Sequence, residues 1–415
     1  RHSDFISVRI RTTAFLPGIE FMISTLSVCD RKVESKATHE HTMCTKLVMD
    51  TTDPDIDFDD QGVCNWWHQF HRIKNERHSP NQLQLQLDAM VSRIKECGKQ
   101  NDYDCVLGIS GGVDSSYLAL LAKQWGLRPL VVHFDNGWND ELAVANIEKI
   151  VRSLGFDLST CVMHWPEFRD LQRSYFKASV LDLEVPTDHM IFASLFQIAS
   201  KQNIKFILSG NNFATESILP RSWYFSKSDL RNLLAVHRRH GEIPLKQLPR
   251  LGVWQRTYFE CLRGIEIVEP LNLMDYRKLV AKKQLMSQFD WNDYGGKHYE
   301  SVFTRFYQGY ILPQKFGIDK RKAHLSNLIC NGEITREDAI EELLQPTYEP
   351  VRQLEDKRYV AKKLGWSESE FDDLLSMPNG KQLAYGTDAV DHRRMQMIRR
   401  LFFPAARLFR RLMNT

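Results

Sequence analysis

An apolar, β-branched run breaks into Ser-Gly-Gly and restarts at once as a helical pattern in VLGISGGVDSS, residues 106–116. No other feature limits the fold so tightly, because a buried strand that feeds a helix through a two-glycine turn is the opening half of a βαβ unit. Gly111 and Gly112 remove the Cβ atoms that would keep an anion from the backbone, and Ser115 and Ser116 fall at the mouth of the helix. Backbone N–H groups, the hydroxyls of Ser115 and Ser116, and the positive end of the helix dipole then converge on one phosphate group. A Walker loop would continue Gly-Lys-Ser/Thr, with the lysine reaching the terminal phosphates. This loop has no lysine.

The alternation continues. Strands are expected at 105–109, 130–134, 161–164, 206–208 and 265–268, and helices at 116–125, 141–154 and 188–201. Strands and helices of these lengths predict an α/β fold, a parallel sheet covered on both faces, with ligands at the carboxyl ends of its strands. Beyond about residue 275 the pattern turns helical, at 276–287, 297–309, 321–330, 335–344, 354–364 and 367–375. Ser367 and Glu370 stand at capping-box spacing, and Thr335 with Asp338 nearly so. Two further strand ends carry polar groups: His133, Phe134, Asp135 and Asn136 in VVHFDNGW, and Gly210, Asn211, Asn212 and Glu216 in ILSGNNFATES.

The loop resembles the pyrophosphate loop, Ser-Gly-Gly-x-Asp-Ser-Ser, of the ATP pyrophosphatase (PP-loop) superfamily, whose adenine nucleotide alpha hydrolase-like core it predicts for residues 101–275. That resemblance implies that ATP is bound through its β and γ phosphates by Ser110, Gly111, Gly112, Asp114, Ser115 and Ser116, leaving the α-phosphorus open to attack. It also implies that 133–136 approach adenosine, while Asp114 and Glu216 hold Mg²⁺ beside the phosphate oxygens.

Two longer stretches narrow the family. DYGGKHYESVFTRFYQGYILPQKFGIDKRKAHLSNLICNGEITREDA (293–339) and CTKLVMDTTDPDIDFDDQGVC (44–64) closely resemble the N-acetyl sugar amidotransferases of bacterial O-antigen and surface-polysaccharide synthesis. The resemblance implies conversion of an acetamido group on a nucleotide sugar to an acetamidino group. ATP would drive it, with ammonia from a separate glutaminase coupled through a cyclase-like channel protein. It makes 276–377 a helical substrate-binding region, where Lys297, His298, Arg305, Lys315, Lys320, Arg321 and His324 meet phosphate and carboxylate charge, and Glu300 and Asp319 orient the cations. Lys320, Arg321 and Lys297 are the first choices for stabilising charge at the α-phosphate, and His298 for a general base toward ammonia. Relatives carry two Cys-x-x-Cys pairs in the N-terminal segment, 43–100. Here Cys44 and Cys64 remain while Leu47 and Trp67 fill the second positions, so zinc is in doubt unless His68 and His71 substitute.

Composition sets the remaining bounds. A net charge of +3 with a pI near 8.3 argues against wholesale nucleic-acid binding. Eight scattered cysteines predict reduced thiols and a cytoplasmic protein, and no apolar run approaches the roughly 20 residues that span a bilayer. Residues 1–42 read as an extension ahead of a natural start at Met43, and 378–415 as a basic amphipathic tail suited to an anionic membrane surface. Two alternatives stay open: a PP-loop enzyme that modifies tRNA by thiolation or lysidine formation, and a non-catalytic nucleotide-binding subunit.

Overall fold

A computed structural model describes residues 41–293 and 299–397, and the described residues fall within one compact unit. Two helices lead in: α1 (Asn65–Glu76), and α2 (Pro80–Gly98), which opens on a Ser79–Gln82 capping box. Then come β1 (Cys105–Ile109), α3 (Val113–Gln124), β2 (Pro129–Asp135), α4 (Glu141–Leu154), β3 (Asp157–Val162), α5 (Trp165–Ala178), α6 (Val185–Lys201) and β4 (Phe206–Leu208). The single turn α7 (Phe213–Glu216), α8 (Leu230–His240), α9 (Val253–Thr257) and β5 (Glu266–Val268) complete the sheet region.

All five strands run parallel, in the order β3-β2-β1-β4-β5. Successive side chains of a strand point to opposite faces. Cys105, Leu107 and Ile109 accordingly pack with Ile94 of α2, Leu118 of α3 and Ile147 of α4, while Val106 packs with Ala193 and Phe196 of α6. The chain winds outward from β1 through β2 to β3, then crosses back to lay β4 on the other side of β1. The loop after β1 thus lies at the switch point, where open parallel sheets bind ligands.

The rest is helical: α10 (Lys278–Phe289), α11 (Val302–Phe306), α12 (Leu312–Phe316), α13 (Lys320–Cys330), α14 (Arg336–Leu344), α15 (Pro350–Leu364) and α16 (Glu368–Ser376). Thr335–Asp338 and Ser367–Glu370 both form capping boxes. The single helix expected at 297–309 is instead α11, a π turn at Tyr307–Ile311, and α12. A core of its own joins the N-terminal segment to these helices, from Cys44, Leu47 and Trp66 through Phe168 and Tyr175 of α5 to Phe306, Leu364 and Phe371. β3 begins four residues before the expected strand because it is an edge: its Asp157 and Leu158 are exposed, so its polar half carries no buried apolar pattern.

Candidate functional site

The loop after β1 closes on itself. Ser110 N–H donates to Ser115 Oγ (3.3 Å), Ser110 Oγ accepts from Gly112 N–H (3.2 Å), and Ser115 Oγ donates to the Gly112 carbonyl (3.3 Å). Gly111 sits at φ +84°, and a Cβ there would lie 2.7 Å from the Ala143 carbonyl on the first turn of α4, so both conformation and space demand glycine. Its own carbonyl accepts from Trp291 Nε1 (3.2 Å). Gly112 caps α3 with no side chain to satisfy the first N–H groups, which leaves them to a ligand. One helical turn in, the Ser116 hydroxyl is wholly buried and has no hydrogen-bond partner among the described residues.

The other two strand ends arrive at the same edge. After β4, Gly210 packs so closely that a Cβ on it would lie 3.2 Å from Ser115 N. Asn211 N–H donates to Ser209 Oγ, and Asn212 caps α7 through Thr215 N (3.0 Å). After β2, Asp135 accepts from Gly137 N–H (2.8 Å) and Asn139 Nδ2 (3.3 Å), Asn136 accepts from Trp138 N–H (3.1 Å), and Asn139 Nδ2 also meets His133 Nε2 (3.0 Å). Phe134 is half-buried against the larger core. His133, Asp135, Gly137 and Asn139, with Leu158 and Thr160 of β3, line a cavity of about 340 Å³. That volume falls in the range of small-ligand sites.

Asp114, on the first turn of α3, accepts a hydrogen bond from the Tyr276 hydroxyl. Burial and then the Asp114 carboxylate hold that phenol far above its ordinary range, and Glu216 adds to the effect. The carboxylates expected to share a cation therefore act on one tyrosine. Beside them stands Glu269, directly after β5, which accepts from Asn272 Nδ2 (2.9 Å). Burial, and then the charge of Glu216, push its carboxyl up to about 7. The sequence reading missed both Glu269 and Tyr276, since neither belongs to a motif; their nearness to a strand end was the only signal.

A second charged cluster was also missed. Asp182, buried, accepts from Phe225 N–H (2.8 Å) and pairs with Lys227 Nζ (2.7 Å), which also pairs with Asp188 (3.1 Å). Gln308, on the π turn, donates to Glu184 Oε2 (3.0 Å). Lys320 opens α13 beside these groups, its ammonium 5.8 Å from the Tyr307 ring centroid. Burial lowers its pKa against the opposing pull of Glu184 and Asp182. Thr187, on α6, accepts weakly from Asn136 Nδ2 (3.4 Å), which joins the cluster to the end of β2.

Several expected substrate contacts need correction. Arg305 is 2% exposed and clamped between Asp140 (2.9 Å) and Asp356 (2.8 Å), so its guanidinium is already neutralised. Lys315 gives its protons to the carbonyls of Leu375 (2.7 Å) and Met377 (2.6 Å). Arg321 folds back on Asp319 (2.8 Å) and onto the carbonyls of Glu342 and Gln345, and Asp319 also caps α13. These groups tie helices together rather than facing a ligand. Glu300 meets the turn after β2 through its backbone, accepting from Asp140 N–H (2.9 Å), and His324 lies half-buried one turn beyond Lys320. Lys297, His298 and residues 398–415 of the tail lie outside the described residues.

Cys44 and Cys64, where zinc was in doubt, lie in one core with Leu47, and Trp67 packs against it. Cys44 Sγ accepts N–H groups from Leu47 (3.4 Å) and Cys64 (3.2 Å), and the hydrogen bond from the Cys64 thiol lowers its pKa against the effect of burial. His68 is engaged with Asp59 (2.8 Å), and His71 with the Trp67 carbonyl (2.9 Å). Among the described residues no group of three or more His, Cys, Asp or Glu is placed to hold a metal.

A parallel sheet ordered 3-2-1-4-5, with a lysine-free Ser-Gly-Gly-x-Asp-Ser-Ser turn opening a helix at its switch point, defines a PP-loop α/β protein with a mostly helical C-terminal region. Residues 300–401 match the family described as LPS biosynthesis protein WbpG-like, C-terminal domain. No curated protein matches it in sequence. Among solved structures it is similar to NMN synthetase from Francisella tularensis, at 15% identity and TM-score 0.36, covering 70% of this chain and 98% of that one. It is similar also to NH3-dependent NAD synthetase from Campylobacter jejuni, at 13% identity and TM-score 0.32, covering 72% and 98%. Superpositions this loose say nothing about substrate. No helix among the described residues is long and apolar enough to cross a membrane.

Proposed function

We propose that the protein is an ATP-dependent amidotransferase of lipopolysaccharide synthesis that turns an acetamido group of a nucleotide sugar into an acetamidino group. The observation that carries the reading is the self-closed 110–115 loop, packed against Gly210 and followed by the unpartnered Ser116 hydroxyl, in a chain bearing a WbpG-like C-terminal domain. Such a loop offers N–H groups and hydroxyls to the β and γ phosphates without a lysine to neutralise them. Asp114 and Glu216, which act on one tyrosine, suit a magnesium ion that takes one or two carboxylates and keeps its waters. Bound there, the metal supplies charge neutralisation at the phosphate oxygens.

An amide oxygen is a poor leaving group, so ammonia alone cannot displace it. In the proposed reaction that oxygen attacks the α-phosphorus, and pyrophosphate leaves. Ammonia then adds to the activated carbon, and AMP departs carrying the former carbonyl oxygen. The cavity walled by His133, Asp135 and Gly137 suits adenosine, and Lys320, beside Asp182 and Glu184, keeps its proposed role toward charge at the α-phosphate. Lys297 keeps its proposed role of neutralising charge at the α-phosphate, and His298 that of a general base toward ammonia. A separate glutaminase, working through a cyclase-like channel protein, would supply the ammonia, and the basic tail suits contact with an anionic membrane surface. The test is to incubate the protein with ATP, Mg²⁺, ammonium and a panel of UDP-diacetamido sugars. AMP, pyrophosphate and a sugar that has exchanged an oxygen for NH are expected. ADP and orthophosphate, or turnover with unmodified tRNA and with none of the sugars, would refute the reading.

A further inference from the structure

The turn after β2 is gripped from outside by one cation of the C-terminal domain. Lys363, near the end of α15, donates to the Gly137 carbonyl and to the Tyr359 hydroxyl (2.8 Å). Its ammonium lies 5.0, 5.2 and 5.1 Å from the ring centroids of Trp138, Trp165 and Tyr359. A carbonyl, a hydroxyl and three rings thus meet the charge, an arrangement strongest where water is displaced. Gly137 permits the approach. At φ +81°, a Cβ there would lie 3.3 Å from the Trp165 ring and 3.5 Å from Lys363 Nζ.

The same residue is held from the inside as well, because Asp135 takes the Gly137 N–H (2.8 Å). With both its N–H and its C=O fixed, Gly137 presents a set wall to the cavity it lines with His133 and Asp135. The far end of the turn is pinned from the same domain. Asp140 receives Arg305 (2.9 Å) and Arg352 (3.3 Å), Val302 N–H donates to the Trp138 carbonyl (2.8 Å), and Asn139 bridges to Ser301. Of these ties, Lys363 alone bonds to a residue of the cavity wall through a charged donor, so it is the one whose loss most directly frees that wall.

We propose that Lys363 is a positioning residue for the nucleoside half of the nucleotide, acting through Gly137, so that the C-terminal domain sets how tightly the pocket holds adenosine. The proposal rests on the nucleotide reading above, and its test separates the two. Mg-ATP, AMP and Mg-pyrophosphate are titrated into the full chain, with the fluorescence of Trp138 and Trp165 as the readout. Lys363→Met is expected to weaken ATP and AMP by about tenfold, the scale of one lost charge-assisted hydrogen bond. Pyrophosphate, held by the 110–116 loop, should bind as in wild type, a split that general loss of structure would not produce. Tyr359→Phe, which removes one partner of the same ammonium, should show the split in smaller measure and serves if Lys363→Met does not fold. ATP affinity unchanged in these variants, or ATP and pyrophosphate weakened alike, overturns the proposal. A wild-type chain that binds neither ligand overturns the nucleotide reading itself, and the proposal with it.

Discussion

Glu269 shows what single residues contribute here. Its carboxyl is pushed from an ordinary value of 4.5 up to about 7 by burial and by Glu216, so the folded state holds a proton that the unfolded chain releases. The stability this contributes is fully present below pH 4.5 and is lost as pH rises through about 7. Glu269→Gln, which keeps the shape and the hydrogen bond without the charge, is expected to raise the melting temperature at pH 8 and leave it unchanged at pH 4. A melting series across that interval checks the sign, and an equal effect at both ends contradicts it. Gly111 makes the converse point: backbone geometry, φ +84° with Ala143 behind it, fixes the residue where no charge is involved.

Among the elements, the 136–140 turn and the 299–305 segment form one unit, stitched by backbone bonds and closed by Arg305. Removing that guanidinium strands the carboxylates of Asp140 and Asp356, only 12% exposed each, without their main cation. Arg305→Met is therefore expected to cost about 3–5 kcal/mol of stability by denaturant titration. Unchanged stability with lost activity would instead restore the substrate-contact role read from the sequence. The sequence alone carried α4, whose bounds match expectation because Asp140 and Gly155 mark its ends as cap and left-handed stop. It did not reveal α5, where Glu167, Asp170, Gln172 and Ser174 are buried and so blur the apolar stripe that normally betrays a helix. These carboxylates serve distant backbone, Glu167 receiving the N–H groups of 246–248, a debt that no local pattern shows.

At the scale of the molecule, the strand–glycine turn–helix unit and the alternation after it were enough to read a parallel sheet, because both are local. The pairing that makes a site is not local. Asp182 meets Lys227 from 45 residues away and Asp114 meets Tyr276 from 162, so only the winding of the chain brings them together. The basic residues at 305–321 misled for the same reason: their number suggested an anion site, whereas Arg305, Lys315 and Arg321 spend their donors on helix ends and buried acids. In the proposed reaction the loop leaves the α-phosphorus open to an amide oxygen, and the fate of that oxygen can be followed by isotope labelling. With ¹⁸O in the acetyl carbonyl of a UDP-diacetamido sugar, ATP, Mg²⁺ and ammonium, the label is expected in AMP. Label in orthophosphate, or retained in a sugar that has nonetheless gained nitrogen, would contradict it.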